Sequence, residues 1–383
     1  MTPPIYLDYN ATTPVDQRVL KEMMTWFTER FGNAASRTHL YGWEAAEAVA
    51  DAWQQVAKLI GATEKEIIFT SGATESNNLA LKGAYEAAGA ERRHIVTVVT
   101  EHKAVLDACQ HLEALGAEVT YLTPAPDGLI YLQQIENALR PDTLLVSVMY
   151  ANNEIGVIQP IADIGALCRA HGVLFHTDAT QAAGKITIGV EYDCVDLLSL
   201  SAHKLYGPKG IGALYVRKGT HLIAQLDGGR HERGLRSGTL NVPGIVGLGK
   251  ACHLAAAAML SEREMLRTLR DKLENEIVET VPDTHVNGNR ERRLPQTTNI
   301  SFGGVDGEAL LMALNRIAVA NGSACTSALV EPSYVLKALG VPDDLAHASV
   351  RFSLGRFTKD EEIAEAVQHV QEVVARLRET TLN

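Results

Sequence analysis

Aromatic residues are scarce, at 5% of 383 positions, and so are cysteines, of which there are five. Cys109, Cys168, Cys194, Cys252 and Cys325 stand singly, with no CxxC pair and an odd total. That pattern argues against a disulfide framework and against a thiolate zinc site, and it fits a reducing compartment. A basic, apolar leader is missing as well: Met1-Thr2-Pro3-Pro4 runs straight into the strand-like Ile5-Tyr6-Leu7, so no signal peptide is expected. No apolar stretch is read as reaching the ~18 residues of a membrane span, and the expectation is a cytoplasmic protein without a membrane partner. Positive charge is in deficit too. With 35 basic against 46 acidic residues the net charge is -11, which repels nucleic-acid phosphates and leaves direct nucleic-acid binding unexpected. Internal repeats and low-complexity segments are also missing.

What is present is a globular composition, 46% hydrophobic and 21% charged, in a chain longer than a single core sustains. Apolar, β-branched runs at 66–69, 94–99, 143–149, 173–175, 195–200 and 211–216 alternate with helical periodicity, which predicts βαβ units around a mostly parallel sheet. From 245 to 281 the pattern becomes one long helix, with Met265, Leu266, Leu269, Leu273 and Ile277 on one face, ending before Pro282. It reads as the bridge between a large domain at 15–250 and a smaller one formed by 1–14 with 251–383. A last helix is signalled by a capping box of Thr358 and Glu361 and by the stripe Ile363, Val367, Val370, Val374 and Leu377. Four of the cysteines, all but Cys325, sit in apolar surroundings and are expected to be small core residues.

Polar clusters follow five of the apolar runs directly: 71–75, 100–102, 151–154, 177–178 and 201–204. In open α/β sheets ligands bind beyond the carboxyl ends of the strands, so these clusters point to one pocket. Lys204, in Ser201-Ala202-His203-Lys204-Leu205-Tyr206-Gly207-Pro208, follows a buried strand and precedes a Gly/Pro turn. A lysine held there, partly desolvated, can form a Schiff base with an aldehyde cofactor, whereas an ordinary loop lysine is merely solvated; the neighbouring Ser and His, both able to bond phosphate, favour the first reading. The turn Ser71-Gly72-Ala73-Thr74-Glu75-Ser76-Asn77-Asn78 leads a strand into a helix N-terminus, where an anion belongs, although Ser and Thr also cap ordinary helices. Asp178 ends a strand as an acid able to bond a pyridinium nitrogen, or simply as a cap, and one crossover separates it from Lys204.

These segments, with Leu7-Asp8-Tyr9-Asn10-Ala11-Thr12-Thr13-Pro14, Thr100-Glu101-His102, Ala151-Asn152-Asn153-Glu154, Glu232-Arg233-Gly234-Leu235-Arg236-Ser237-Gly238-Thr239 and Ser323-Ala324-Cys325-Thr326-Ser327, span nearly the whole chain. Together they resemble the cysteine desulfurases of the iron–sulfur assembly and nitrogenase-maturation branch, within aminotransferase class V. The resemblance implies an α/β fold of the fold-type I pyridoxal-phosphate enzymes: a large domain on a mostly parallel seven-stranded sheet, and a smaller α+β C-terminal domain carrying the Cys325 loop. Residue by residue, it implies that Lys204 holds pyridoxal 5'-phosphate, that His102 stacks on the ring and assists proton transfer, that Asp178 pairs with the ring nitrogen and that Gln181 faces the ring hydroxyl. Ala73, Thr74, Ser201 and His203 are to hold the phosphate, joined by Thr239 of a partner subunit, which makes the active site that of a homodimer. Asn153 lies against the cofactor and, with Arg351, grips the carboxylate of the substrate, L-cysteine.

Cys325 is implied as the nucleophile that receives the sulfur as a persulfide. Its small-residue surroundings offer little apolar cover, and the thiol is therefore expected to be exposed. The products are L-alanine and sulfur bound for an acceptor protein, either an iron–sulfur scaffold or a carrier for cofactor or tRNA thiolation. No resident metal is expected, although Cys325 could transiently ligate an iron–sulfur cluster. The alternatives are a selenocysteine lyase or another class V enzyme, discriminated by the Cys325 loop, and a catalytically silent partner protein, disfavoured because Lys204, Asp178, His102 and Cys325 are all present. Arg230 stands where the family usually has a small residue, and an exposed side chain is the expected accommodation in preference to a strained turn.

Overall fold

Strands whose residues are buried from end to end need cover on both faces, and that need organises the molecule. The computed structural model describes residues 3–89, 91–321 and 332–381. Its strands, in chain order, are β1 (Ile5–Tyr6), β2 (Ile67–Thr70), β3 (His94–Val98), β4 (Glu118–Leu122), β5 (Thr143–Ser147), β6 (Leu174–Asp178), β7 (Leu197–Ser201), β8 (Gly212–Val216), β9 (Thr284–Val286), β10 (Thr297–Phe302), β11 (Ile317–Ala318) and β12 (Ser349–Ser353). A seven-stranded sheet takes the order β2-β8-β7-β6-β5-β3-β4. The pairs from β7 through β6, β5 and β3 to β4 are parallel, and β8 runs antiparallel to both β7 and β2. This is the expected α/β, fold-type I architecture with one reversed strand. β4 was not foreseen in the sequence, because Glu118 and Thr120 interrupt its apolar run, as suits a half-exposed edge strand.

Among the described residues four hydrophobic clusters form, and the two largest set the plan of the molecule. One joins the large sheet to its helices through residues such as Phe69, Val96, Val146, Phe175 and Leu200. The other gathers Leu7 with Ile300, Phe302, Val350 and Phe352 of the smaller antiparallel sheet β12-β10-β9, and with Ile363, Val367, Val370 and Val374 of the last helix. The helix Val242–Thr280 contributes to both: Ile245, Leu248 and Cys252 pack in the first, and Leu266, Leu269, Leu273 and Ile277 in the second. Met265, expected on that buried face, is 36% exposed. By length and composition this helix passes as a membrane span, contrary to the reading that no stretch does, but half of its apolar window is buried within the protein. Its hydropathy therefore serves packing.

Two further expectations need correction. The last helix begins at Asp360, and the Thr358/Glu361 box does not form: Thr358 Oγ1 accepts from the N–H of Gly355, and Glu362 reaches back to the N–H of Lys359 at 2.8 Å. Cys109, Cys168 and Cys252 are buried as expected, with burial pushing each thiol up to about 12. Cys194 is only partly buried, in a turn at φ +54°.

Candidate active site

The polar residues that follow the buried strands meet at one edge of the large sheet. After β7 the chain makes a short 3-10 turn at Ala202–Lys204, fixed by the N–H of Ala202 donating to the Ile211 carbonyl at 3.1 Å. The N-terminal segment is laced over this turn. Thr13 donates through both its N–H and its hydroxyl to the His203 carbonyl, each at 2.9 Å, and its hydroxyl accepts from the N–H of Tyr206 at 2.8 Å. Lys204 Nζ consequently donates to the main-chain carbonyls of Asn10 and Ala11, the latter at 2.6 Å. Gln181 Nε2 donates to the same Asn10 carbonyl at 3.0 Å. His203 Nδ1 lies 3.2 Å from the Thr12 hydroxyl. Burial, then the charges of Lys204 and Lys209, push its imidazole down to about 4, so the ring is neutral at pH 7.

Asp178 ends β6, the neighbour of β7, in register with Ser199. Both of its carboxylate oxygens are held: Asn77 Nδ2 donates to one at 2.7 Å and the N–H of Thr180 to the other at 2.9 Å. Asn77 belongs to the helix Ala73–Ala87, one turn in from its start, so the same helix orients the acid and opens toward the site with its N-terminus. That N-terminus lies against the end of β7: a Cβ on Gly72 would stand 3.8 Å from Ser201 Oγ. The approach depends on glycine also at Gly212, where a Cβ would fall 2.5 Å from the Leu200 carbonyl and 2.7 Å from Gly72 Cα. Ala73 and Thr74, in the first turn, present free N–H groups and the positive end of the helix dipole beside the Ser201 hydroxyl.

His102 caps the helix Lys103–Ala114, its Nδ1 accepting from the N–H of Ala104 at 3.1 Å. The ring is exposed. With Nδ1 an acceptor, the proton of the neutral ring resides on Nε2, which points away from the cap. Glu101 behind it is fully buried and accepts from the N–H of Met149, and burial together with the Asp178 charge pushes its carboxyl well above the usual range. Arg351 on β12 is fixed by an ion pair to Asp8 at 2.5 Å and by donating to the Asn153 carbonyl at 3.0 Å. Asn153 is thereby brought to Arg351, while Asn10 Nδ2 donates to the same carbonyl at 3.1 Å. Thr239 is exposed, and among the described residues no hydrogen bond joins it to the other candidates. Cys325 lies outside the described residues.

Asn10, Asn77, Asp8 and Glu101 had no role in the sequence reading. Each stands inside a segment that carries the family resemblance, and only the tertiary contacts show what each one does. Among the described residues no group of His, Cys, Asp and Glu is arranged to hold a metal.

The donor set fits pyridoxal phosphate: an amine, an anion cradle at a helix N-terminus, and an oriented carboxylate one strand away. Unpartnered buried atoms agree with this, since Asn77 Oδ1, Asn153 Oδ1, Thr177 Oγ1, Thr180 Oγ1 and Arg351 Nε all lie on these same segments and make no hydrogen bond. Buried polar atoms are ordinarily satisfied, so these five are available to polar groups of a ligand, although unpartnered buried atoms also occur elsewhere, as at Glu274 Oε1 and Arg293 Nε.

Known proteins match this chain along almost its whole length. Residues 5–365 match the model of the family described as Aminotransferase class-V. The cysteine desulfurase IscS of Anaeromyxobacter dehalogenans (strain 2CP-C) is 56% identical over 378 residues, covering 98% of this chain and 94% of the relative. That of Pasteurella multocida (strain Pm70) is 57% identical over 380 residues, with the same coverage. Among solved structures, a NifS-like protein superposes with a TM-score of 0.91 at 38% identity, covering 98% of this chain and 100% of its own. The chain belongs to aminotransferase class V and, within it, to the cysteine desulfurases.

Proposed function

We propose that the protein takes sulfur from L-cysteine, releases L-alanine, and carries the sulfur as a persulfide on Cys325 to an acceptor protein in iron–sulfur cluster assembly or in cofactor or tRNA thiolation. The observation that carries this reading is the meeting of Lys204, Asp178, Ser201 and the helix N-terminus at Ala73 on adjacent strand ends. The cofactor is pyridoxal 5'-phosphate. When bound, its ring withdraws electrons from the substrate α-carbon.

Lys204 would hold the cofactor, Asp178 its ring nitrogen, Gln181 its ring hydroxyl and His102 its ring face. Ala73, Thr74, Ser201 and His203 would hold the phosphate. A neutral His203 can serve that task, because with Nδ1 accepting from the Thr12 hydroxyl its Nε2–H would donate to the anion. With its amine free, Lys204 would be the base that holds the α-proton and returns it, with the carbonyls of Asn10 and Ala11 at hand to bond the ammonium form. His102, with Nε2 facing outward, assists that transfer. Arg351, oriented by Asp8, and Asn153 take the substrate carboxylate. The Cys325 thiolate then attacks the substrate sulfur: the S–S bond forms as the Cβ–S bond breaks, and protonation of the remaining carbon skeleton yields alanine.

We infer a homodimer, with Thr239 reaching the phosphate of the partner subunit. Thr239 is exposed and unbonded to its own cradle, and Phe31, Tyr41 and Trp43 are 64, 52 and 56% exposed, more aromatic surface than a free monomer usually shows in one segment. A cytoplasmic setting suits the reduced cysteines, and the acidic net charge is unsuited to nucleic acid.

The test is to supply cysteine and a reductant to the purified protein and measure alanine and sulfide, which are expected in equal amounts. Lys204→Ala is expected to abolish both the visible absorption and the activity. Cys325→Ala should keep the absorption and lose the activity; full desulfurase activity in that variant would refute the sulfur route.

A further inference from the structure

Residues 228–239 run along the free edge of the large sheet and hold an expensive backbone. Arg230, Glu232 and Arg233 have φ of +55°, +45° and +58°, the left-handed region that residues with a side chain rarely adopt. Such conformations persist where surrounding contacts over-determine them, and here those contacts go to β2. Glu232, 5% exposed, accepts from the N–H of Phe69 at 2.7 Å. Arg233 donates to the carbonyls of Ile67 at 2.6 Å and Glu64 at 2.8 Å, and its guanidinium lies 5.0 Å over the Trp53 ring, which stacks on Phe69. One side chain thus takes an outward N–H of the edge strand and the next takes an outward C=O. A third contact follows: Arg236 pairs at 2.9 Å with Glu75, which also accepts from the N–H of Ser71 at 2.7 Å.

The two ends of this device matter for the cofactor. β2 leads directly into Ser71, Gly72 and Ala73, and Glu75 lies in the first turn of the helix that follows, so all three contacts act on the phosphate cradle of the same chain. Arg236 stands three residues before Thr239. Capping a sheet edge explains Glu232 and Arg233 alone; it explains neither the bond to the first turn of the helix nor the strain in a loop that could have been built relaxed.

We propose that Glu232, Arg233 and Arg236 are positioning residues that pin the 228–239 loop to the phosphate cradle, so that in the dimer each chain's own cradle and the Thr239 it lends to its partner are set by one rigid body. The inference rests on the dimeric reading given above. Its consequence is that a defect in the pin of one chain weakens phosphate holding at both sites of the dimer: in its own through β2, and in its partner's through Thr239.

The experiment follows release of pyridoxal phosphate, by absorbance in the presence of an apo-enzyme trap, from wild-type dimers, from Arg233→Gly homodimers, and from mixed dimers carrying one wild-type and one Arg233→Gly chain. Glycine removes the pin while easing the backbone, so folding is preserved; thermal melting and sedimentation check it, and Arg236→Gln provides a second variant away from the strained residues. The expected result is release about tenfold faster, equivalent to ~1.4 kcal/mol, in both homodimeric variants. Mixed dimers should release all of their cofactor faster than wild type, and Arg233→Lys should recover part of the retention. Fast release of only half the cofactor from mixed dimers would overturn the proposal, as would unchanged release from dimers of both variants. Thr239→Val separates the two readings. If it leaves release unchanged, or if the protein sediments as a monomer, the dimeric reading falls and the proposal with it. If it speeds release while the pin variants do not, only the proposal falls.

Discussion

Replacing Arg351 by lysine keeps a positive charge beside Asp8 but removes the planar fork, and the structure sets the size of the effect. The guanidinium is immobilised by Asp8 on one Nη and by the Asn153 carbonyl on the other, while its Nε is buried with no partner. A substrate carboxylate would complete the set through a pair of charge-assisted hydrogen bonds. Lysine can supply one point contact and must share it with Asp8, so one such bond is lost, about 1.5–3 kcal/mol. That loss corresponds to roughly a 10- to 150-fold fall in kcat/KM for cysteine, carried mainly by KM because the contact is made to the bound substrate as well as in the transition state. The assay is alanine formation against cysteine concentration, with the visible absorption recorded to show that the cofactor content is unchanged. A kcat/KM within twofold of wild type at full cofactor content would refute the reasoning and leave Arg351 as the ion-pair partner of Asp8 alone.

Arg230→Gly is expected to raise stability by about 1 kcal/mol, because arginine occupies φ +55° with an exposed side chain, and denaturant unfolding of the apo-protein will read it. Arg293→Met should destabilise by ~3 kcal/mol: Glu274 is 1% exposed, accepts from both Arg293 and the Thr298 hydroxyl, and would keep the solvent-facing Arg290 as its direct ion-pair partner. The same pair sets an acid limit. Glu274 titrates below its ordinary value in the fold, where its hydrogen bonds from Arg293 and Thr298 outweigh burial, so its contribution is present above the unfolded carboxylate value of about 4.3 and is lost as pH falls through the lower folded value. His176, wholly buried between Ser147 and Ser199, is pushed down to about 4 by burial. The unfolded chain takes up that proton near pH 6.5 and the fold refuses it until about 4, so the urea midpoint should drop as pH is lowered across that window, and His176→Asn should flatten the drop.

How much of this was legible in the sequence depended on whether a residue acts through its neighbours in the chain or through distant ones. Lys204 and Asp178 could be placed from local pattern, because a buried strand followed by a polar residue puts that residue at the sheet edge. The long helix was legible for the same reason, being a periodic stripe with a proline beyond it. Asn10 and Asn77 were not: their amides act on groups far along the chain, at Asn153 and Asp178, and nothing in a two-residue context distinguishes them from turn and cap formers. Thr358 misled for a related reason. Its hydroxyl was spent on Gly355, a tight turn that the spacing of a capping box cannot reveal. For Arg230 the two readings weighed against each other prove compatible, since the side chain is exposed and the backbone is left-handed together.

The same division explains why the site is so polar yet so ordered. Strand ends deliver their side chains to one edge, where Lys204 and Gln181 are held by main-chain carbonyls of the 8–13 segment, Arg351 by the Asp8 carboxylate and Asp178 by Asn77 of the helix Ala73–Ala87. A buried polar atom without a partner costs about 1–3 kcal/mol, and Asn77 Oδ1, Asn153 Oδ1, Thr177 Oγ1, Thr180 Oγ1 and Arg351 Nε, on the segments that form the site, are among the atoms left so, a cost that a ligand bonding to them would offset. It follows that cofactor binding should stabilise the fold well beyond the contact to Lys204. In Lys204→Ala, which cannot form the Schiff base, added pyridoxal phosphate should still raise the melting temperature in proportion to the logarithm of its concentration. No shift in that variant at saturating cofactor would mean that the cradle and the ring acid bind too weakly to account for the unpartnered atoms around them.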